Sequence, residues 1–502
     1  MFCTVYSAGY IGIEGFVVEV EIDLSPGLPQ FSIVGLPDSA IRESRDRVRA
    51  SIKNSGYPFP TKRITVNLSP SHIRKQGTIY DLPIALGLLG LSGVIEIESL
   101  SQFIILGELS LDGSLNRITG ILPMIISLKR EGFKKFIVPK ANAEEGAVVN
   151  GVQVYGFNHL NEVVRFLKGE IEIKPEKQSF SIFKNSYDID MKDVKGQTLA
   201  KRALEISASG FHHLLMVGPP GVGKSMLAKR IVTIMPSLSF DEAIEVSVIY
   251  SVAGLLNGGI ITQRPFRSPH HTSSDVAIVG GGQNPVPGEI SLAHKGVLFL
   301  DELPEFNRKT IEVLRQPLEE GVINISRSQS RVTFPARFLL ISAMNPCPCG
   351  NYGNPYKQCS CTPSQIKNYR SKISGPIMDR IDLKVWMDHI SEEELLKAPE
   401  GEPSSVIRER VKKAHSIQRE RFKNSKTDYN GNMTEAEIRK YCVLSDDAKR
   451  LLSSAISRFN LSGREYSKIL KVARTIADME EEDQIKQHHI AEALQYRTIE
   501  NG

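Results

Sequence analysis

Hydrophobic positions recur at two different spacings through the first third of the chain. A spacing of two residues, as in Phe16–Leu24, predicts a β-strand, whereas spacings of three and four, as in Asp38–Ser55, predict a helix. Asp38 suits the start of that helix, because its carboxylate can accept from free backbone amides. The pattern predicts an α+β domain over residues 1–168. Its other predicted strands are Gln30–Leu36, Arg63–Leu68, Phe103–Leu109 and Lys135–Val138, and its other predicted helices are Leu82–Leu91, Ile125–Arg130 and Leu160–Leu167.

The pattern changes twice further along the chain. Residues 169–188 are rich in Lys, Glu and Ser without periodicity, which predicts a linker. Strands and helices then alternate over residues 189–388, which predicts an α/β domain with a parallel sheet. Residues 389–502 carry almost only helical spacing and predict a helical domain. Its predicted helices are Ser391–Ala398, Pro403–Phe422, Thr434–Tyr441, Ser445–Phe459, Gly463–Met479 and His488–Tyr496.

Composition narrows the class of protein. The chain has 502 residues, enough for about three domains, and its 41% hydrophobic and 24% charged residues are typical of a soluble globular protein. A net charge of +5 permits a nucleic-acid partner without requiring one. No basic stretch precedes an apolar core at the start, and the apolar run Leu82–Ile95 is too short to span a bilayer. We therefore expect a cytoplasmic protein without a membrane segment.

A glycine-rich loop follows the short apolar stretch Phe211–Val217. The loop matches G-x-x-x-x-G-K-[ST] and is followed by the helical stretch Met226–Ile234. In such loops the backbone amides converge on phosphate oxygens, Lys224 adds a positive charge, and the Ser225 hydroxyl can ligate Mg²⁺. The alternative is a glycine turn between a strand and a helix, and the flanking elements favour the nucleotide site. The residues of the loop are Gly218, Pro219, Pro220, Gly221, Val222, Gly223, Lys224 and Ser225.

Further polar groups follow two other predicted strands. The apolar stretch Gly296–Leu300 ends in Asp301 and Glu302, and Phe338–Ala343 leads to Asn345. Because buried parallel strands deliver their last residues to the ligand edge of a sheet, we expect Asp301 to hold Mg²⁺ and Glu302 to polarise the attacking water. A helix start with acids in its first turn is the less favoured alternative. Asn345 either contacts the γ-phosphate or caps a turn.

These motifs, together with Ile373–Asp382 and the helix Lys471–Ala477, resemble the ComM/YifB family over nearly the whole chain. Its members are magnesium-chelatase-like AAA+ ATPases, related to the chelatase motor subunit and more distantly to the MCM helicases. The resemblance implies a P-loop core with a parallel sheet over residues 189–388 and a helical lid over residues 389–502. It assigns Asn345 to sensor 1, Arg380 to the arginine finger that reaches a neighbouring subunit's ATP, and Arg474 to sensor 2 on the lid. Without the resemblance, both arginines are ordinary surface residues.

The amino-terminal region resembles the catalytic domain of Lon-type proteases, which use a serine activated by a lysine. Ile79 stands where the resemblance places the serine, and Pro123 stands near the place of the lysine. The resemblance therefore implies a non-proteolytic ring platform or substrate guide. A protease with Thr78 or Ser69 as nucleophile, in a shifted register, is the alternative. The similar stretches are Val66–Gly77, Tyr80–Ala85 and Leu106–Gly113.

Four of the six cysteines are clustered in the pattern C-x-C-x₉-C-x-C. Four thiolates from two tight turns can surround one tetrahedral Zn²⁺, and in a reducing cytosol such clustering favours a metal over disulfides. We expect a structural zinc without a catalytic role; disulfides or unrelated thiols are the alternatives. The adjacent His270 and His271 lack a third ligand and are interpreted as loop residues. The clustered cysteines are Cys347, Cys349, Cys359 and Cys361.

Two segments of the central domain combine arginines with turn residues. Arg264–Ser274 is basic and aromatic and leads to Gly280–Gln283, which predicts a mobile loop. Val322–Phe334 predicts a hairpin with Arg327 and Arg331 near its polar turn. The resemblance places both segments as inserts facing the pore of a hexameric ring, where arginines can contact DNA phosphates. A solvated loop and a solvated hairpin are the alternatives.

The leading interpretation is a hexameric DNA motor that uses ATP and Mg²⁺. For ComM-like proteins this implies helicase and branch-migration activity in recombination, during natural transformation with single-stranded DNA. The first alternative is a remodelling ATPase acting on a protein or metal-chelatase partner, although the fused Lon-like region argues against a dedicated chelatase motor. The second is an ATP-regulated scaffold, which the complete set of hydrolytic groups disfavours.

Overall fold

A seven-stranded mixed sheet forms the amino-terminal part of the protein. The computed structural model describes residues 1–177, 187–282, 284–327, 330–390 and 400–497. The sheet has the strand order β3-β4-β2-β1-β5-β8-β9, and β6 pairs with β7 in a separate ribbon. The sequence pattern did not predict its long first strand. The strands are β1 (Phe2–Ile11), β2 (Glu14–Ser25), β3 (Gln30–Val34), β4 (Arg63–Ser69), β5 (Ile104–Ile105), β6 (Glu108–Leu109), β7 (Leu115–Asn116), β8 (Lys135–Pro139) and β9 (Gln153–Phe157).

Six helices pack on this sheet. The first begins as predicted, with the Asp38 carboxylate accepting from the Ile41 amide at 2.9 Å. The second is buried along its whole length, which confirms a buried helix rather than a membrane segment for the apolar run. No helix within the described ranges is long and apolar enough to cross a bilayer. The helices are α1 (Ser39–Asn54), α2 (Asp81–Leu91), α3 (Ile97–Leu100), α4 (Ile121–Arg130), α5 (Lys140–Ala147) and α6 (Leu160–Leu167).

The predicted strand Phe103–Leu109 is divided into β5 and β6. The Leu106 amide still donates to Ile137 in the main sheet, but the Gly107 amide donates to Ile79 instead. The chain therefore leaves the sheet between these two residues, and an apolar pattern alone carries no signal of that change of partner.

A five-stranded parallel sheet forms the centre of the molecule and confirms the predicted fold class of this region. Its order is β11-β14-β17-β10-β18, and each neighbouring pair is parallel. Two short antiparallel pairs, β12 with β13 and β15 with β16, lie outside it. The strands are β10 (Leu214–Val217), β11 (Phe266–Arg267), β12 (Gly280–Gly281), β13 (Val286–Pro287), β14 (Val297–Leu300), β15 (Val322–Arg327), β16 (Ser330–Pro335), β17 (Leu339–Met344) and β18 (Leu383–Trp386).

Both faces of the central sheet are covered, which explains why its strands are apolar without alternation. In β10, Leu214 and Met216 belong to the core on one face, and Leu215 and Val217 belong to the core on the other. The covering helices are α7 (Thr198–Gly210), α8 (Lys224–Ile234), α9 (Phe240–Val252), α10 (Asp275–Val279), α11 (Glu289–Leu292), α12 (Arg308–Val313), α13 (Arg315–Glu320), α14 (Pro363–Arg370) and α15 (Gly375–Met378).

The carboxyl-terminal helices continue one of these cores. Their apolar residues join the cluster that contains α7, α8 and one face of the sheet. A buried hydrogen bond of 2.7 Å between His212 and Thr475 crosses the junction. The predicted helix Ser391–Ala398 lies outside the described residues. The helices are α16 (Ser404–Arg421), α17 (Glu435–Tyr441), α18 (Asp446–Phe459), α19 (Gly463–Met479) and α20 (Gln487–Gln495), close to the predicted segments.

The amino-terminal region contacts the central region through α9 and the hairpin β15–β16. The Ser251 hydroxyl donates to the buried Glu145 carboxylate at 2.5 Å, and the Gly120 amide donates to the Ser251 carbonyl at 3.1 Å. On the hairpin, Val332 lies against Gly12 so closely that a Cβ on Gly12 would be 2.6 Å from it. The two regions are thus joined by a buried polar contact and by close packing.

Candidate active site

The glycine loop joins β10 to α8 in the geometry that binds phosphates. Gly221 and Gly223 have φ angles of +84° and +91°, which glycine adopts without strain, and a Cβ at either position would meet open space. Gly218 is required for a different reason: a Cβ there would lie 2.4 Å from the Met387 carbonyl oxygen. The loop ends at the amino terminus of α8, where free amides and the helix dipole favour an anion.

Lys224 lies inside this loop. Its Nζ donates to the carbonyl oxygens of Gly218 at 2.6 Å and Pro219 at 2.9 Å, and to Asn345 Oδ1 at 3.2 Å. Burial lowers the pKa of the Lys224 ammonium to about 8, an effect that the Asp301 and Glu302 carboxylates oppose. A phosphate in the loop would oppose it further, because an adjacent anion favours the charged amine.

Two oxygen ligands suited to Mg²⁺ meet beside the loop. The Ser225 hydroxyl donates to Asp301 Oδ2 at 2.5 Å, which brings together the first helical turn of α8 and the end of β14. Hydroxyl and carboxylate oxygens are the donors that Mg²⁺ prefers, so the pair fits that ion. Glu302 follows with a φ of +52°, and its side chain is half-exposed.

Asn345 reaches the same edge because β17 runs parallel between β10 and β14. Val217 of β10 pairs with Met344, the residue before Asn345, and Leu300 of β14 pairs with Ser342. The carboxyl ends of three neighbouring strands therefore meet, as expected for a ligand site in a parallel sheet. The structure thus brings together the predicted residues Lys224, Ser225, Asp301, Glu302 and Asn345.

Arg380 lies at the opposite edge of the sheet. It precedes β18, whereas the glycine loop follows β10, and the two strands are parallel. A strand of four residues spans roughly 13 Å, so a phosphate in the loop of the same chain is out of its reach. Arg380 Nη2 donates to the Glu319 carboxylate beside a cavity of about 530 Å³.

Arg474 is not brought to the glycine loop. Its side chain is 2% exposed, and its donors go to the Asp478 carboxylate and to the carbonyl oxygens of Glu482 and Asp483. These contacts hold the end of α19 together, and a contact with nucleotide would require breaking a buried ion pair. The apolar residues next to Arg474 in the sequence could have indicated that its side chain is buried.

Arg464, at the start of α19, is a charged residue that the sequence analysis did not single out. It is 67% exposed, donates to Asp379 at 2.6 Å, and lines the same cavity as Arg380. The signal that could have found it is its position on the polar side of an amphipathic helix, ten residues before Arg474. The cavity is therefore lined by three arginines, Arg337, Arg380 and Arg464, and each is paired with an acid of its own chain.

The four clustered cysteines converge. The sulfur of Cys347 lies 3.4 Å from that of Cys349 and 3.6 Å from that of Cys359, and all four ligand atoms lie within 4.8 Å of one another. Four sulfurs placed about 2.3 Å from one ion in a tetrahedron would be about 3.8 Å apart. Amides of Asn351 and Ser360 lower the pKa of the Cys349 thiol to about 5, which favours the thiolate that binds metals. All are free thiols, and the set fits a metal ion.

This cysteine turn contacts the glycine loop directly. Gly350, which follows Cys349, has a φ of +78°, and a Cβ there would lie 2.9 Å from Pro220 Cδ. Two residues before Cys347, Asn345 accepts from Lys224. The segment from Asn345 to Gly350 therefore touches the phosphate-binding loop at both of its ends.

Two arginines at the start of the predicted basic loop are held by contacts within the fold. Arg264 is buried and donates to the Pro236 and Lys295 carbonyls, and Arg267 lies in β11 and pairs with Glu289 through two hydrogen bonds of 2.6 Å. Both arginines therefore hold the fold together. The predicted hairpin is confirmed as β15–β16, with Arg327 opposite Ser330 and Arg331 exposed.

Comparison with known proteins decides the family. Models for magnesium chelatase subunit ChlI match residues 20–142 and 190–395, and the model for its carboxyl-terminal part matches residues 401–497. The chain is 43% identical to the competence protein ComM of Haemophilus influenzae, over 99% of this chain and 97% of that protein. It is equally similar, at 43% and over the same shares, to YifB of Salmonella typhimurium. The chain belongs to the ComM/YifB family. Membership in this magnesium-chelatase-like AAA+ family implies ATPase activity.

A weaker similarity concerns proteolysis. Over 169 residues this ComM/YifB-family chain is 26% identical to the archaeal Lon protease of Methanocaldococcus jannaschii, covering 32% of this chain and 26% of that protein. Ile79 and Pro123 are both buried, and the Thr78 hydroxyl donates to the Glu108 carboxylate. The nearby Lys75 is fully buried and donates to the Pro70 carbonyl. Thr78 is therefore bonded to Glu108, and Lys75 is bonded to Pro70. In a site of the serine–lysine type, the hydroxyl and the amine would instead be partners of each other.

The close approach at Gly218 gives a prediction for stability. Gly218→Ala should destabilise the central region by about 1–3 kcal/mol, because its Cβ would collide with the Met387 carbonyl at the end of β18. The matched control is Gly375→Ala, where a Cβ meets open space. Thermal unfolding followed by calorimetry checks this. A melting temperature for Gly218→Ala equal to that of the control would contradict the packing described here.

Proposed function

We propose that this chain is an ATP-driven DNA motor that works as a closed ring, with helicase or branch-migration activity in DNA recombination. The observation that carries the proposal is that the glycine loop and Arg380 lie at opposite ends of two neighbouring parallel strands, β10 and β18. We expect the ATP site to be completed between two subunits. The edge of the central sheet at which the strands end in one subunit would face the edge at which they begin in the next. About six subunits, as in related AAA+ rings, is our expectation.

The residues around the glycine loop divide the work of hydrolysis. The loop amides and Lys224 hold the phosphates, and Ser225 with Asp301 would hold Mg²⁺, which neutralises phosphate charge when bound. Glu302 orients and polarises the attacking water as a general base. Asn345, already in contact with Lys224, is placed to hold the γ-phosphate. Hydrolysis also needs positive charge beside the transferring phosphoryl group, in addition to that of Lys224.

The neighbouring subunit supplies that charge in our proposal. Arg380 and Arg464 line one cavity, and each guanidinium is paired with a carboxylate of its own chain, Glu319 and Asp379 respectively. A phosphate is a stronger partner than a single carboxylate and would draw both arginines across the interface. The two acids keep the arginines in place until a nucleotide-loaded neighbour docks.

DNA is the partner we favour for three reasons. ComM, the relative with 43% identity, is named a competence protein. The net charge of +5 suits a polyanion. The hairpin β15–β16 projects an exposed arginine next to the amino-terminal region, where Arg331 lines a second cavity of about 520 Å³ with Ile11 and Glu14. A protein partner is the competing outcome of the experiments below, since the matching family models describe a chelatase subunit.

Subunit mixing tests the shared site. Arg380→Ala chains should bind nucleotide but hydrolyse it poorly, and Lys224→Ala chains should do neither, because each lacks one half of the site. Mixed together, they should regain measurable ATPase activity, since some interfaces then combine an intact loop with an intact arginine. Absence of rescue at every mixing ratio, in mixed rings verified by native mass spectrometry, would contradict the proposal.

DNA-stimulated ATPase activity across a salt series tests the partner. Single-stranded and forked DNA should raise turnover, and Arg327→Ala with Arg331→Ala should remove the stimulation while basal turnover survives. Each arginine that no longer neutralises a phosphate should reduce the slope of log binding constant against log salt concentration, for single strands, by about 0.7. The matched control is Arg42→Ala with Arg45→Ala, two exposed arginines of α1. Stimulation by a protein substrate and not by DNA, or a loss confined to the control, would overturn the proposal.

We also propose that the four cysteines hold one structural zinc ion. Purified protein should contain about one zinc per chain, because four converging thiols fill a tetrahedral site. Cys347→Ser with Cys359→Ser should lose the metal, whereas Cys3→Ala, a buried thiol outside the cluster, should keep it. Elemental analysis is the measurement. Metal-free protein prepared without chelator would refute the assignment, and iron would replace it with a redox centre.

A further inference from the structure

The chain between the two cysteine pairs lies across the phosphate-binding loop. This outer loop comprises residues 350–357. At its start, Gly350 packs on Pro220 of the glycine loop. Further along, a Cβ on Gly353 would lie 2.8 Å from the ring of Trp386, the last residue of β18. The outer loop therefore extends from the glycine loop to the carboxyl end of β18.

The order of the strands indicates where the nucleoside of a bound triphosphate extends. Asp301 and Asn345 follow β14 and β17, which both lie on one side of β10 in the central sheet, whereas β18 lies on the other side. The terminal phosphate must meet the hydrolytic groups. The rest of the nucleotide then extends in the opposite direction, towards β18. The outer loop borders that space.

The residues after β18 are attached to the glycine loop. The side-chain amide of Gln197 donates to the Asp388 carbonyl at 2.7 Å and to the Val222 carbonyl at 3.4 Å. The end of β18 and the phosphate-binding loop are thus held together by one side chain. His389, the next residue along the chain, is fixed beside the glycine loop as a result.

Two aromatic side chains meet at this place. The Tyr356 ring is 68% exposed and is nearly perpendicular to the His389 ring, with 5.9 Å between the ring centres. Asn354 Oδ1 accepts from the backbone amides of Tyr356 and Lys357, which fixes the orientation of the Asn354 side chain. Its Nδ2 is therefore the donor to His389 Nε2, at 3.1 Å. Because Nε2 accepts, the proton of the neutral imidazole is on Nδ1.

We propose that the outer loop is a wall of the nucleoside site, and that Tyr356 and His389 bind the base of a purine nucleoside triphosphate. The proposal deepens the ATP site described above and rests on the assignment of the glycine loop to its phosphates. A purine presents a flat face that can stack on the Tyr356 ring, and ring nitrogens that can accept from His389 Nδ1. The zinc ion proposed above would fix both ends of this wall.

Binding measured with and without a base tests the wall. In calorimetric titrations with Mg²⁺ present, Tyr356→Ala should weaken binding of the non-hydrolysable ATP analogue AMP-PNP by about fivefold or more, because a stacked base loses its aromatic partner. Affinity for inorganic triphosphate, which carries no nucleoside, should stay at the parent value. Tyr356→Phe keeps the ring and should bind both ligands as the parent does.

The matched control is Tyr352→Ala, on the same outer loop. Tyr352 is also exposed, but the Arg370 guanidinium lies over its ring, 5.4 Å from the ring centre, so both affinities should stay unchanged. Equal losses for the two ligands in Tyr356→Ala, or no loss for AMP-PNP, would overturn the wall. A parent protein that binds no triphosphate would overturn the assignment of the glycine loop, and the wall with it.

A double-mutant cycle tests whether the two aromatic residues act on one base. His389→Ala should also weaken AMP-PNP binding and leave triphosphate binding unchanged. Combined with Tyr356→Ala, its loss should be less than additive, since residues in contact that act on one group are coupled. Full additivity would overturn the joint site.

The choice of base is tested with the uridine counterpart of AMP-PNP. The parent should bind AMP-PNP more tightly, because the larger ring system of a purine stacks over more area. Tyr356→Ala should narrow that difference. Equal affinities of the parent protein for the two analogues would overturn the purine assignment.

Discussion

The strands of the central sheet all run in one direction, and this constraint determines where chemistry can occur. Parallel strands place their carboxyl ends at one edge, so the glycine loop, Asp301 and Asn345 meet there. The same geometry sends residues that precede strands to the other edge, where Arg380 lies. Within a single chain Arg380 therefore lies away from the glycine loop. In our proposal, assembly of subunits brings the two together.

The cysteine turn is tied to the same loop. Asn345 contacts Lys224, and Gly350 lies so close to Pro220 that a side chain would not fit. A metal ion bound by the turn would hold these two contacts at a constant separation, because the ligands on either side of the turn would be fixed to one centre. The cluster lies beside the glycine loop, which agrees with the structural role that we propose for its metal ion.

Much of the fold follows from local pattern, and the failures have physical reasons. The glycine loop, the acids after β14 and the helix start at Asp38 depend on short stretches of sequence, and the structure has them as expected. The division of Phe103–Leu109 depends on a change of hydrogen-bond partner that no local pattern encodes.

The site shows the same contrast. Glu302 could be found from its strand, but its neighbour His271 could not, because the two are 31 positions apart and are joined only by the pairing of β11 with β14. Arg474 and Arg464 show the same limit in reverse. Motif similarity indicated Arg474, which is buried, and gave no signal for Arg464, which is exposed. Burial and ion-pair partners depend on tertiary packing, so the motif alone could not distinguish the two residues.

In our proposal, one chain cannot complete its own catalytic site. Specific ATPase activity, measured per chain over a wide range of protein concentration alongside mass photometry, tests it most directly. We expect activity per chain to rise together with the fraction of assembled rings and to be near zero where the protein is monomeric. Constant activity per chain throughout the monomeric range would contradict it.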